Sequence, residues 1–159
     1  MFRSLFNIAM LSRKLLLCSA LLTSLTALPA CAEDAPSITA VRKEVHTAIS
    51  AACNNAPETK RYVTGFADAV LDDKLDALKE NLYKMSCLVG RAQQTEPKND
   101  DVIECATQGM SEMLKDVDKL RYTDGMDDAT YEASQETLLD VVKSTATMTE
   151  AEICATAGL

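Results

Sequence analysis

The chain contains no Trp, three Phe, four Tyr and a single His, and it has only five Gly and four Pro in 159 residues. One imidazole rules out a multi-histidine metal centre and leaves a Ser or Cys nucleophile short of a base. So few glycines and prolines supply neither a Gly-rich phosphate loop nor the dense turns of an all-β fold. No stretch alternates at period two with β-branched residues, so no sheet is expected. Beyond the first thirty residues, no apolar run approaches the ~20 residues that a bilayer span needs. What remains, with an apolar share of 47%, is one small domain. No enzymatic activity, cofactor or metal is expected of it.

The first segment is of a different kind. Arg3, Arg13 and Lys14 precede the apolar run Leu15 to Leu28 with no acid among them, which is the layout of a secretory signal peptide. Pro29 ends the run, and Ala30-Cys31-Ala32 places small residues on both sides of the usual recognition gap before a cut at Glu33. The expected organisation is a signal peptide over 1–32 and a single helical domain over 33–159, periplasmic or secreted. In an alternative reading Leu28-Pro29-Ala30-Cys31 is a lipoprotein signal, and the protein is lipid-anchored through Cys31.

Removing 1–32 takes away three cations and no acid, which moves the formal charge from −8 to −11, with 13 Lys and Arg against 24 Asp and Glu. Such a field repels nucleic acid and anionic membranes and favours encounter with a basic protein. A homodimer is compatible with the composition.

Four cysteines remain after Cys18 and Cys31 leave with the signal: Cys53, Cys87, Cys105 and Cys154. An even count in an exported domain predicts two disulfides, and no CxxC-like spacing supports zinc. Centred on Glu96, the 93–99 loop places Cys87 and Cys105 equally far along two antiparallel helices. That symmetry predicts a Cys87–Cys105 bridge and leaves Cys53 for Cys154.

Helical periodicity then runs through the domain. Ile38, Val41, Val45, Ile49 and Ala52 share one face of a helix over 37–54, and Pro57 opens a second. A stripe from Val63 through Phe66, Ala67, Val70 and Leu71 continues in Leu75, Leu78, Leu82, Met85 and Val89. One helix over 58–91 is possible, but Asp72-Asp73 suggests a break with an acid capping the next helix. Asp101 with Glu104 reads as a capping-box variant before the stripe Ile103, Ala106, Met110, Met113, Leu114, Val117 and Leu120. Tyr122 to Asp128 is a turn around Asp124-Gly125. A helix over 128–143 follows with Tyr131, Leu138, Val141 and Val142 inward. Thr149 to Glu152 is a capping box that opens a last short helix, which Gly158 closes. The fold class is an all-α, disulfide-stapled bundle of five to six helices.

Candidate chemistry is sparse. His46 falls one position off its helix stripe and reads as a partly exposed surface residue. The pairs Asp72-Asp73, Asp100-Asp101 and Asp127-Asp128 sit where helix caps are wanted. Asp116, Asp118 and Asp124 fail as a calcium loop, because Leu120 and Arg121 occupy the fifth and sixth places. Tyr122 and Met126, ringed by Asp124, Asp127 and Asp128, are candidate anchors of a protein contact with acids to steer it.

The stretch Tyr62-Val63-Thr64-Gly65-Phe66-Ala67-Asp68 resembles the small helical periplasmic immunity proteins that neutralise peptidoglycan-amidase toxins of type VI secretion. In that family a similar aromatic-xx-Gly-xx-Asp stretch opens a helix of a disulfide-bonded all-α domain. The resemblance implies toxin binding without enzymatic activity and makes Gly65 and Asp68 further candidate contact residues. The expected function is an exported inhibitor or immunity protein for a basic wall-degrading enzyme. The competing expectation is a periplasmic chaperone, adaptor or lipoprotein with a structural role.

Overall fold

The computed structural model describes residues 37–121 and 127–159, with the side chains of 116–121 excepted. The proposed signal peptide with Cys18 and Cys31, and the turn residues Tyr122, Asp124 and Met126, lie outside the described residues. Among the described residues there are six helices and no strand: α1 (Ile38–Ala52), α2 (Pro57–Leu71), α3 (Leu75–Gln94), α4 (Asp100–Arg121), α5 (Asp128–Thr145) and α6 (Glu150–Ala157).

Local chemistry sets the helix ends. Ser37 caps α1 by accepting from the Ala40 amide at 3.2 Å, Pro57 occupies the first turn of α2, and Asp127 caps α5 by accepting from the Thr130 amide at 2.7 Å. At α6 the reciprocal box forms as expected. Thr149 Oγ1 accepts from the Glu152 amide at 3.3 Å, and Glu152 Oε2 accepts from the Thr149 amide at 2.7 Å. Gly158 ends α6 in the left-handed region at φ 71°.

Two details differ from the sequence reading. The chain does break after Leu71, but neither acid caps α3, whose N-cap is Lys74 with no side-chain bond. Asp72 instead ends α2, and Asp73 takes the positive φ of 54° that lets the chain reverse, a conformation Asp tolerates better than most residues. At α4 the side chain facing the first turn is Asn99, whose Oδ1 accepts from the Val102 amide at 3.4 Å, rather than Asp101.

The core is aliphatic. Val41, Val45 and Ile49 of α1 meet Val63, Phe66 and Val70 of α2, Leu78, Leu82 and Met85 of α3, and Met113 of α4. Burying each such side chain is worth about 1.5–3 kcal/mol against exposure. α3 lies at the centre and packs against α2, α4, α5 and α6, while α1 packs on α4 and α2. Gly109 permits the close approach of α4 to α2, since a Cβ there would lie 2.8 Å from Val63 Cγ1.

The four cysteines form two cystines, as their number predicts, but the pairing is Cys53–Cys105 and Cys87–Cys154, with Cα–Cα distances of 4.5 and 4.8 Å. The pairing expected from the loop symmetry is therefore corrected. Equal distance from a loop fixes height along two helices but not rotation about them, and each residue step turns the side chain by 100°. Cys105 faces α1 and Cys87 faces α6, so one bridge ties α1 to α4 and the other fastens the C-terminal helix to α3.

Candidate functional site

On α1, Arg42 and His46 are one turn apart. Asp68 of α2 and Asp72, the residue that ends that helix, are likewise four residues apart. The four side chains meet across the groove between the helices. Arg42 Nη1 donates to Asp68 Oδ1 and Nη2 to Asp72 Oδ1, both at 2.5 Å, and His46 Nε2 lies 2.9 Å from Asp68 Oδ1. Lys74 adds a contact to Asp72 Oδ2 at 3.2 Å. About a third of each side chain in the Arg42–Asp68–Asp72 core is exposed, so the cluster is a surface clasp of modest strength. His46 is partly exposed, as its sequence position suggests, and among the described residues no hydroxyl or thiol is hydrogen-bonded to it.

The Arg42 guanidinium holds the Asp72 carboxyl below the usual carboxylate range, with Lys74 adding to the effect. Backbone N–H bonds do the same at two caps, from Thr130 to Asp127 and from Thr149 to Glu152. A carboxyl whose pKa is depressed by folding contributes stability that is present above its unfolded pKa and is lost as pH falls through the lower folded value. Thermal melts should therefore hold down to about pH 4 and decline below it. The combined variant Asp72→Asn, Asp127→Asn and Glu152→Gln should melt lower at neutral pH and show a smaller acid decline. An acid decline of unchanged size in that variant would contradict these assignments.

The sequence-derived contact residues separate in space. Gly65 and Asp68 lie within α2 and serve different neighbours. A Cβ on Gly65 would lie 2.8 Å from Asn81 Oδ1 of α3, so the missing side chain is a helix-packing feature, while Asp68 is held by α1. Asp127 and Asp128 are exposed at the start of α5, and Asp127 is also a cap. Cys87, Cys154 and Glu150 place two sulfurs and a carboxylate oxygen within 4.8 Å of one another. Those sulfurs are bonded to each other and carry no thiolate charge for a cation.

A second feature lies beside α5. Of its eighteen residues only Ser134 and Val141 are buried, and Val142, expected inward, is 37% exposed. Leu139 at 38% and Leu114 of α4 at 40% are exposed as well. Between α4 and α5 a cavity of about 20 Å3 runs in from the surface, floored by Phe66, Leu78 and Met113 and rimmed by Leu114, Tyr131 and Leu138. It has room for one water-sized group. Ser134 lines it, is only 7% exposed, and its hydroxyl has no hydrogen-bond partner.

The outer face of α5 is acidic. Asp128, Glu132, Glu136 and Asp140 recur every four residues, Asp127 adjoins them, and Lys143 is the one cation in the helix. Like charges at this spacing repel by about 0.2–0.5 kcal/mol per pair. Comparison with known families, with curated proteins and with solved structures finds no match.

Proposed function

We propose that the protein is an exported, non-enzymatic binding protein that neutralises a basic cell-wall-degrading enzyme, in the manner of an immunity protein or inhibitor. The carrying observation is the acid row Asp128, Glu132, Glu136 and Asp140 on α5. Acids scattered for solubility would avoid mutual repulsion, whereas a row that costs helix stability gains by neutralisation against a basic surface. Two cystines support the reading by holding the scaffold rigid, which lowers the ordering cost of association.

A second reading, a periplasmic chaperone or adaptor, is favoured by the exposed aliphatics Leu114, Leu139 and Val142. Affinity capture of the disulfide-bonded protein from its own envelope fraction separates the two. The first reading expects one basic wall-degrading enzyme, bound one to one and inhibited. A set of unrelated unfolded or structural envelope proteins, with no wall-degrading enzyme among them, would contradict it.

A further inference from the structure

Three features weaken the N-terminal half of α5. The helix packs extensively on α3 alone. Beneath it the α4–α5 crevice is left unfilled over Phe66, Leu78 and Met113, and Ser134, the one buried residue in the first half of the helix, lines that crevice with a hydroxyl that has no partner. A buried polar group of this kind gains when the segment opens and water reaches it. The third feature is charge. Each residue turns 100° about the helix axis, which puts the exposed Glu132, Glu136 and Asp140 on the opposite side from Ser134 and Leu138, facing solvent. Among the described residues none of these three acids forms an ion pair. Their repulsion at four-residue spacing exists only while the segment is helical, so unwinding relieves it.

The second half of α5 is held differently. Val141 is buried, the Tyr83 hydroxyl donates to Ser144 Oγ at 3.1 Å, and the chain leads on into α6, which the Cys87–Cys154 bridge fastens to α3. The first half is closed by the Asp127 cap and by Tyr131 and Leu138, both only partly buried.

We propose that residues 128–138 form a lid that unwinds and recloses while the rest of the domain stays folded, with the stretch from Val141 onward as its fixed end. Opening uncovers an apolar floor of Phe66, Val70, Leu78 and Met113, and closing seals that floor from water. Local openings start in segments with few buried apolar contacts, which is the condition of this half of α5. Salt screens the outer acids and favours the closed helix. A basic protein bound to those acids would act in the same direction, the one point at which the lid meets the binding reading above.

Native-state hydrogen exchange of the disulfide-bonded protein, followed by NMR at low urea concentrations, tests the lid. The amides of 131–138 should exchange at least about a hundredfold faster than the slowest amides of α2 and α3, with rates that respond only weakly to urea. Opening also exposes Met113, which is fully buried in the closed form. Dilute hydrogen peroxide, which transfers one oxygen to the thioether sulfur and leaves as water, should therefore convert Met113 to the sulfoxide while the domain remains folded. The variant Glu132→Gln, Glu136→Gln, Asp140→Asn should slow both processes severalfold, and raising salt to about 0.5 M should slow both in the parent.

Exchange of 131–138 at the rate and urea dependence of α2 and α3 would overturn the lid, because α5 would then open only with the whole domain. Exchange as fast as in an unstructured peptide would overturn it as well, since there would be no closed helix to open. Met113 oxidation no faster than global unfolding permits would contradict the uncovered floor, and unchanged opening in the charge variant would contradict the part given to the acids.

Discussion

Removing either cystine should lower stability by about 4 kcal/mol, because the bridges close loops of 52 and 67 residues in the unfolded chain. For a domain of this size that is a fall in melting temperature on the order of 15 °C per bridge. Alanine is the informative replacement, since all four cysteines are buried and a serine hydroxyl would add its own burial cost. The two losses should differ in kind. Without Cys53–Cys105, α1 keeps its apolar contacts with α2 and α4, so unfolding stays cooperative at lower temperature. Without Cys87–Cys154, the eight-residue α6 is held on α3 by the buried Ala157, the partly buried Ile153 and an Arg91–Glu150 contact at 3.4 Å, a small set for so short a helix. Hydrogen exchange should then show α6 opening below the global transition. Melting unchanged on reduction would remove the structural role of both bridges.

Phe66→Ala should cost about 3–5 kcal/mol. Phe66 is among the largest fully buried side chains, it joins α2 to the core, and it also floors the α4–α5 crevice. Removing its ring therefore leaves a void that opens toward Ser134 and deprives α5 of support. Urea unfolding should show the loss with little change in slope if the variant stays two-state. A cost under about 1 kcal/mol would mean that the neighbouring helices collapse into the gap, a packing looser than the buried core described here.

How far these features were legible in the sequence follows from which physical signals are local. Val41, Val45 and Ile49, or Leu78, Leu82 and Met85, announce their burial by spacing, and all six are buried. Thr149 and Glu152 announce a cap because both partners lie within one turn. Cystine pairing is not local, since rotation about α3 and α4 decides which neighbour Cys87 and Cys105 meet. The Arg42–Asp68–Asp72–His46 clasp carried an unused signal: Arg42 and His46 four residues apart on one helix, and Asp68 and Asp72 four apart along the end of the next. Ser134 carried another, a polar residue four before Leu138 and seven before Val141, inside the inward stripe of α5. Val142 was misplaced because it borders that stripe at the side where the bundle ends and solvent begins. Tyr122, Asp124 and Met126 lie outside the described residues, so the candidate surface rests on the acid row of α5.

Association kinetics of the captured basic partner test the central claim most directly, comparing the parent protein with the Glu132→Gln, Glu136→Gln, Asp140→Asn variant at two salt concentrations. For the parent, the on-rate should fall severalfold from about 0.05 to about 0.5 M salt while the off-rate changes little, because exposed charges steer encounter and are screened. The variant should associate slowly at low salt and show little further salt dependence. Equal on-rates for parent and variant, with the same salt response, would contradict the assignment of the α5 face as the surface that receives a basic protein.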